Sequence, residues 1–234
     1  MKKYNAILLD ADGTIFDYDK AERDALQKTL GLYALPMPEK TLRAFREIRE
    51  QQDARHETGE ISVSALHTRL FSQFMQEMGL APDPMEFASL YTAALEKHIE
   101  LHEGVLEVCA ELCKAIPLYM VTNGLSAVQR PRVSRGPVMP FLTGLFISEE
   151  VGFPKPHKYF FDAVCLEIDG PRQDILIVGD SLSADIAGGH AAGIGTCWYN
   201  PKESPNPGTL KPDYEIQRFK ELLSIVEVSP PAGD

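Results

Sequence analysis

A chain of 234 residues, 44% hydrophobic, is long enough to bury one sizeable core or a core with a smaller satellite domain. Its formal charge of -11 leaves no basic field to draw nucleic acid or an anionic membrane, so neither is expected as a partner. A small phosphorylated substrate stays open, because one metal ion and one lysine reverse the sign of a site locally.

The N-terminal segment MKKYNAILLD meets Asp10 at once and has no cleavage-like region, so it does not read as a signal peptide. No apolar run is long enough to span a bilayer. Cys109, Cys113, Cys165 and Cys197 are scattered and read as apolar fillers in a reducing, cytoplasmic setting.

Residues 4–9 form a short apolar run that ends on Asp10, the pattern of a buried parallel strand. From 17 to 101 no convincing strand follows. Leu42, Phe45 and Ile48 recur at helical spacing, as do Val63, Leu66, Leu70 and Phe74, and then Leu90, Tyr91, Ala94, Leu95 and Ile99. Pro36-Met37-Pro38, Thr58-Gly59 and Pro82-Asp83-Pro84 punctuate them, so the stretch predicts about four helices with a small core of their own. Beyond it, helices are predicted over 104–114, 126–134, 157–168 and 182–192. Strands are predicted over 116–122, 145–148, 175–180 and 196–199. The tail 229–234 is expected to be disordered. The alternation predicts an α/β fold: a parallel sheet with helices on both faces, plus an inserted all-helical cap. In such sheets ligands bind beyond the carboxyl ends of the strands, so Asp10, Thr122 and Asp180 should meet at one edge beneath the insert.

Four motifs sit at these strand ends. In Asp10-Ala11-Asp12-Gly13-Thr14, a carboxylate follows a buried strand, where desolvation is costly unless it is paired or bound to metal. A plain turn or a fragment of a calcium loop would also fit. Thr122-Asn123-Gly124 offers a hydroxyl and backbone N–H groups suited to a phosphate oxygen, or simply a turn. Pro154 and Pro156 restrict the backbone around Lys155 and lower the entropy of fixing its ammonium; a solvated surface lysine is the plainer reading. Asp180 and Asp185 flank the start of the 182–192 helix, where they would share a pocket or act as a cap and a surface acid.

In this order the four motifs resemble the haloacid dehalogenase-like (HAD) hydrolase superfamily, in its subgroup with a helical cap after the first strand. The resemblance covers nearly the whole chain. More narrowly, Thr122-Asn123-Gly124, the 146–152 stretch FISEEVG, Lys155-Pro156, Gly179-Asp180-Ser181 with Asp185-Ile186 and Gly188-Gly189, and the strand with Thr196-Cys197-Trp198 are similar to its pyrimidine 5'-nucleotidase branch. The resemblance implies a Rossmann-like core from 1–16 and 102–234, and a cap from 17–101. It implies a Mg2+-dependent phosphomonoester hydrolase working through an aspartyl-phosphate on Asp10, with Asp12 as acid and base and Lys155 as the third catalytic residue. Metal would be held by Asp10, the Asp12 backbone and Asp180. Phosphate would be held by Thr122, Asn123 and Lys155. Thr14 would orient the Asp12 carboxyl, and Asp185 would stand just behind the ion.

Dehalogenases of the superfamily lack a carboxylate at the position of Asp12, since halide needs no proton, so Asp12 favours phosphoester chemistry. The implied partner is a small phosphorylated metabolite, a pyrimidine nucleoside monophosphate first. Rival readings are a sugar-phosphate or phosphoglycolate phosphatase, a phosphomutase, or a phospho-accepting receiver or binding protein. Either a monomer or a homodimer is open.

Pro131 and Pro137 fall where relatives carry an uninterrupted helix, which predicts a shortened or kinked helix beside Thr122. Arg55, His56 and Glu57 read as a solvated charged turn that would also reach a substrate. Phe71, Phe74, Phe87 and Tyr91 read as cap core.

Overall fold

The computed structural model describes residues 4–208 and 210–226; the 229–234 tail lies outside the described residues. Among the described residues, six strands form one fully parallel sheet: β1 (Ala6–Asp10), β2 (Leu118–Thr122), β3 (Gly144–Ile147), β4 (Ile175–Gly179), β5 (Gly195–Tyr199) and β6 (Tyr214–Ile216), in the order β3-β2-β1-β4-β5-β6. β1 and β4 are buried along their whole length, as strands covered on both faces require. β6 is an additional edge strand that the sequence pattern does not announce.

Before β2, the chain forms α1 (Tyr18–Leu32), α2 (Glu39–Glu57), α3 (Val63–Met78), α4 (Pro84–Leu95) and α5 (Val105–Leu112). The first four helices are the insert. Their ends are written in the sequence. Asp17 caps α1 by accepting from Lys20 N, and Ser62 caps α3 by accepting from Ala65 N. Asp83 caps α4 ahead of Pro84 at the first helical position. Gly79, at φ 61°, ends α3 in the left-handed region. Phe45 on α2, Phe71 and Phe74 on α3, and Phe87 and Tyr91 on α4 supply the centre of this layer. Phe45 meets the edge of Phe74 at 5.1 Å between centroids. The aromatics are therefore cap core, as their spacing predicts.

After β2 come α6 (Ser126–Arg135), α7 (Ser148–Val151), α8 (Lys158–Leu166), a π-helical turn (Leu182–Ile186) leading into α9 (Ala187–Ala192), and α10 (Leu222–Ile225). The helix expected to be shortened or kinked by Pro131 and Pro137 is α6. α6 runs through Pro131 for ten residues and stops at Arg135, where Gly136 takes extended backbone and Pro137 enters a turn. Pro131 removes one interior N–H, and the neighbouring Arg132 is held by its side-chain bonds to His98 O and Asp12 Oδ1.

Two connections join insert and sheet. Phe16 pairs with Leu101 across them, and Asp17 N donates to Glu100 O. Among the described residues no helix is long and apolar enough to cross a membrane.

Candidate active site

Asp10 closes β1, and Asp180 follows the last residue of β4, the neighbouring strand on one side. Thr122 ends β2 on the other side. The order of strands reverses about β1, so crossovers leave in opposite directions and a crevice opens at these carboxyl ends. Gly13, at φ +88°, lets the chain turn away directly after Asp12, and a Cβ there would overlap the Asp180 carboxylate.

Lys155 enters this crevice from the loop between α7 and α8. Its side chain is 2% exposed, and Nζ donates to Asp10 Oδ1 at 2.6 Å and to Asp185 Oδ1 at 2.7 Å. Its backbone is clamped as well. Asn123 Oδ1 accepts from Lys155 N, and Asn123 Nδ2 donates to Lys155 O, both at 2.8 Å. The strand end that carries Thr122 thus also fixes the lysine. Thr122 is buried, and its Oγ1 accepts from Gly124 N at 3.1 Å.

Burial raises Asp10 well above the usual carboxylate range; Lys155 pulls it down, and Asp185 and Asp180 push it up again. Asp180 is pushed up to about 7, first by desolvation within the crevice and then by Asp185. Burial opposes the charge on Lys155, but Asp10 and Asp185 outweigh it and hold the ammonium above its ordinary value. One cation therefore serves three carboxylates.

That imbalance fits a divalent ion. Asp10, Asp180 and Asp185 each offer an oxygen, all within 4.8 Å of one another. An all-oxygen carboxylate set suits a hard cation such as Mg2+. Asp185 is already engaged through Oδ1 with Lys155 and through Oδ2 with Ser181 N at 3.2 Å. Asp10 and Asp180 keep the freer oxygens.

Asp12 stands at the mouth. Its Oδ1 accepts from Arg132 Nη1 at 2.5 Å, and its Oδ2 accepts from Gln129 Nε2. Arg132 is fully buried, lies over the Phe16 ring at 4.4 Å and donates from Nε to His98 O at 2.9 Å. The expectation that Thr14 orients Asp12 is corrected. Thr14 Oγ1 turns toward Asp180 Oδ1, 3.5 Å away, because Asp12 is claimed by α6.

The crevice continues into a cleft of about 770 Å3 between sheet and insert, lined by Asp10, Asp12, Thr122, Lys155, Asp180 and Asp185 and by residues of α2, α3 and α4. The turn at 55–57 divides. Arg55 pairs with Glu60 at the surface, and His56 is buried with Nδ1 on Ile61 O at 2.9 Å. Glu57 lines the cleft; burial raises its carboxyl, while the Ser183 hydroxyl and Lys155 draw it down.

Asp10, Lys155, Asp180, Asp185, Thr122, Asn123 and Thr14 thus come together, with Asp12 two residues from Asp10. A family model described as haloacid dehalogenase-like hydrolase matches residues 4–193. The chain belongs to this family. Among relatives of this HAD-like hydrolase, HAD-hydrolase YfnB of Bacillus subtilis is 34% identical over 97% of both chains. Its crystal structure bound to magnesium superposes with a TM-score of 0.90 over 97% of this chain and all of that one. Pyrimidine 5'-nucleotidase PynA of Streptococcus pneumoniae is 32% identical over 96% of this chain and 95% of its own. Pyrimidine 5'-nucleotidase YjjG of Escherichia coli is 26% identical over 96% and 98%.

Gln129 and Arg132 are the site residues that sequence reasoning passed over. A polar residue on a predicted surface helix reads as solvated, and the neighbouring Pro131 marks the stretch as a weakened helix rather than a site wall. A spacing of three residues, which puts both side chains on one helix face, was the available signal.

Proposed function

We propose that this HAD-like hydrolase is a Mg2+-dependent phosphatase that forms an aspartyl-phosphate on Asp10, with pyrimidine nucleoside 5'-monophosphates as its favoured substrates. We assign 1–16 and 102–234 to the catalytic core and 17–101 to the cap. The observation that carries the reading is the bridge from Lys155 Nζ to Asp10 and Asp185, with Asp180 alongside and Asp12 at the mouth.

An oxygen of Asp10 attacks phosphorus and the ester P–O bond breaks. Asp12 delivers a proton to the departing alkoxide, which leaves as an alcohol. A water then attacks phosphorus, Asp12 takes its proton, and the bond from phosphorus to Asp10 breaks. Free phosphate leaves and Asp10 is a carboxylate again. Gln129 and Arg132 keep Asp12 aimed at the leaving oxygen through both steps. Thr122, the Asn123 backbone and Lys155 hold the phosphoryl oxygens as charge moves.

Asp10, Asp180 and the Asp12 backbone carbonyl would hold the ion, with Asp185 behind. Bound there, Mg2+ supplies the positive charge that lets an anionic ester approach anionic ligands. The need is large: a like-charge pair at about 4 Å costs roughly 4 kcal/mol at an effective dielectric near 20, and several such pairs arise. Lys155 alone does not offset them.

The nucleotide preference is supported by the whole-length likeness to PynA and YjjG and by the motif stretches at 122–124 and 146–152. A phosphate-release panel tests it. Faster turnover of UMP and dTMP than of sugar phosphates and phosphoglycolate is expected; the reverse order removes the nucleotidase assignment.

A further inference from the structure

One wall of the cleft, on the side of the insert, is supplied by α2. Arg46, Arg49, Asp53 and Glu57 succeed one another along α2 at spacings of three and four, which places them on one face, and all four line the cleft. Its two guanidiniums are already matched by acids. Arg46 Nε donates to Glu22 Oε2 at 2.6 Å, and Arg49 Nε donates to Glu22 Oε1 at 2.7 Å. Glu22 is fully buried beneath them, so freeing either arginine would leave one oxygen of a buried carboxylate without its charged partner. Arg46 also lies 3.3 Å from Asp19, and Arg49 Nη1 donates to Asp53 at 2.8 Å and stacks over Tyr18.

What remains is negative. Lys202, at the rim, pairs with Asp19. Glu50 meets only the outer nitrogen of Arg49, at 3.9 Å, and Glu57 faces the Ser183 hydroxyl across the cleft. His67 adds no charge, since burial lowers it to about 4. Around Arg46, Arg49 and the rim Lys202, the cleft is lined by four carboxylates, Asp19, Glu50, Asp53 and Glu57, with Glu22 buried behind the two guanidiniums. Carboxylates only accept hydrogen bonds.

We propose that this α2 wall selects the leaving group by charge, admitting phosphomonoesters whose leaving group is uncharged and rich in O–H or N–H donors, and rejecting those that carry a second phosphate or a carboxylate. The proposal rests on the phosphatase reading and deepens it. Glu57 and Asp53 are the specificity-determining residues. They accept from hydroxyl or imide N–H groups of a neutral leaving group, and they repel an anion placed there.

Two substrate pairs of similar shape test it. Glycerol 3-phosphate and 3-phosphoglycerate differ by a hydroxymethyl against a carboxylate. Uridine 5'-monophosphate and uridine 3',5'-bisphosphate differ by one distal phosphate. With Mg2+ saturating, kcat/KM should favour the neutral member at least tenfold in each pair, and the ratio should shrink as salt rises. In Glu57→Lys the ratio should fall at least fivefold and tip toward the anionic member. The Asp53→Asn/Glu57→Gln variant, which keeps the shape of the wall, should lower the ratio in the same sense. Ratios near one in wild type, or ratios that neither variant moves, overturn the charge filter while leaving the phosphatase intact. No phosphate release from any ester, p-nitrophenyl phosphate included, overturns the phosphatase reading and this proposal with it.

Discussion

The buried Arg132 guanidinium joins Asp12, at 2.5 Å, to the carbonyl of His98, at 2.9 Å. His98 lies on the return connection from the insert to the sheet, and the Phe16 ring under Arg132 lies on the outgoing one. The carboxyl group proposed to move protons is therefore aimed by a residue that also touches both connections to the cap.

Arg132→Lys keeps the charge but not the fork that spans two acceptors. Misaiming Asp12 harms proton delivery, which matters for an alkoxide and hardly for p-nitrophenolate. General acid catalysis contributes about 10²–10⁴-fold, so kcat for an alkyl phosphate should fall about 10–100-fold more than kcat for p-nitrophenyl phosphate. Equal losses on both substrates would show that Arg132 does not act through Asp12.

Lys155→Met removes the one cation shared by Asp10 and Asp185. A missing phosphate-holding donor costs about 10²–10³-fold in kcat. Breaking a buried pair also costs about 3–5 kcal/mol of stability because the partner charge is stranded. Denaturant unfolding without metal should show that loss, and Mg2+ should restore part of it. A variant as stable as wild type in metal-free buffer would contradict the electrostatic account.

Asp180 gives a pH signature. In the metal-free protein its carboxyl is pushed up to about 7, above the ordinary 3.8, by desolvation and then by Asp185. The folded state thus prefers it protonated. That contribution is fully present below about pH 4 and is lost as pH rises toward 7. Mg2+ takes the place of the proton, so the Tm gain on adding Mg2+ should be larger at pH 8 than at pH 6. Asp180→Asn should shrink the difference, leaving the part that Asp10, whose carboxyl is also raised, contributes. A gain independent of pH, measured by calorimetry, would count against Asp180 as a ligand.

Phe45 holds the cap together, with Phe71, Phe74 and Tyr91 within 5.1–5.8 Å between ring centroids. Removing a buried phenyl costs about 3–5 kcal/mol. Phe45→Ala should raise amide exchange across α2–α4 far more than in β1 and β4. Uniform loss of protection through the whole chain would mean that insert and sheet unfold as one unit.

The parts of the fold written in local sequence are those governed by local physics. β1, β2 and β4 are apolar runs closed by Asp10, Thr122 and Asp180, and α3 and α4 carry their caps at Ser62 and Asp83. β6 was not legible, because three residues at a sheet edge carry no period. Within the site, Asp10, Lys155 and Asp180 stood at strand ends or in a proline-flanked loop, where chemistry shows in the sequence. The partners of Asp12 did not, because Arg132 looks solvated until packing lays it over the Phe16 ring. For the same reason Thr14 was assigned to Asp12 and faces Asp180 instead. The pairing of Glu22 with Arg46 and Arg49 joins two helices, and no single stretch of chain contains it.

The covalent role proposed for Asp10 is tested most directly by trapping. Asp12→Asn, mixed with p-nitrophenyl phosphate and Mg2+, needs no acid to expel its leaving group but has lost the base for the water step, so phosphoenzyme should accumulate. Acid quench and borohydride reduction of an acyl phosphate yield homoserine, which peptide mass spectrometry locates. Homoserine at position 10, dependent on substrate, is the predicted result. Nitrophenol release with position 10 unmodified, or modification at another residue, would contradict the account.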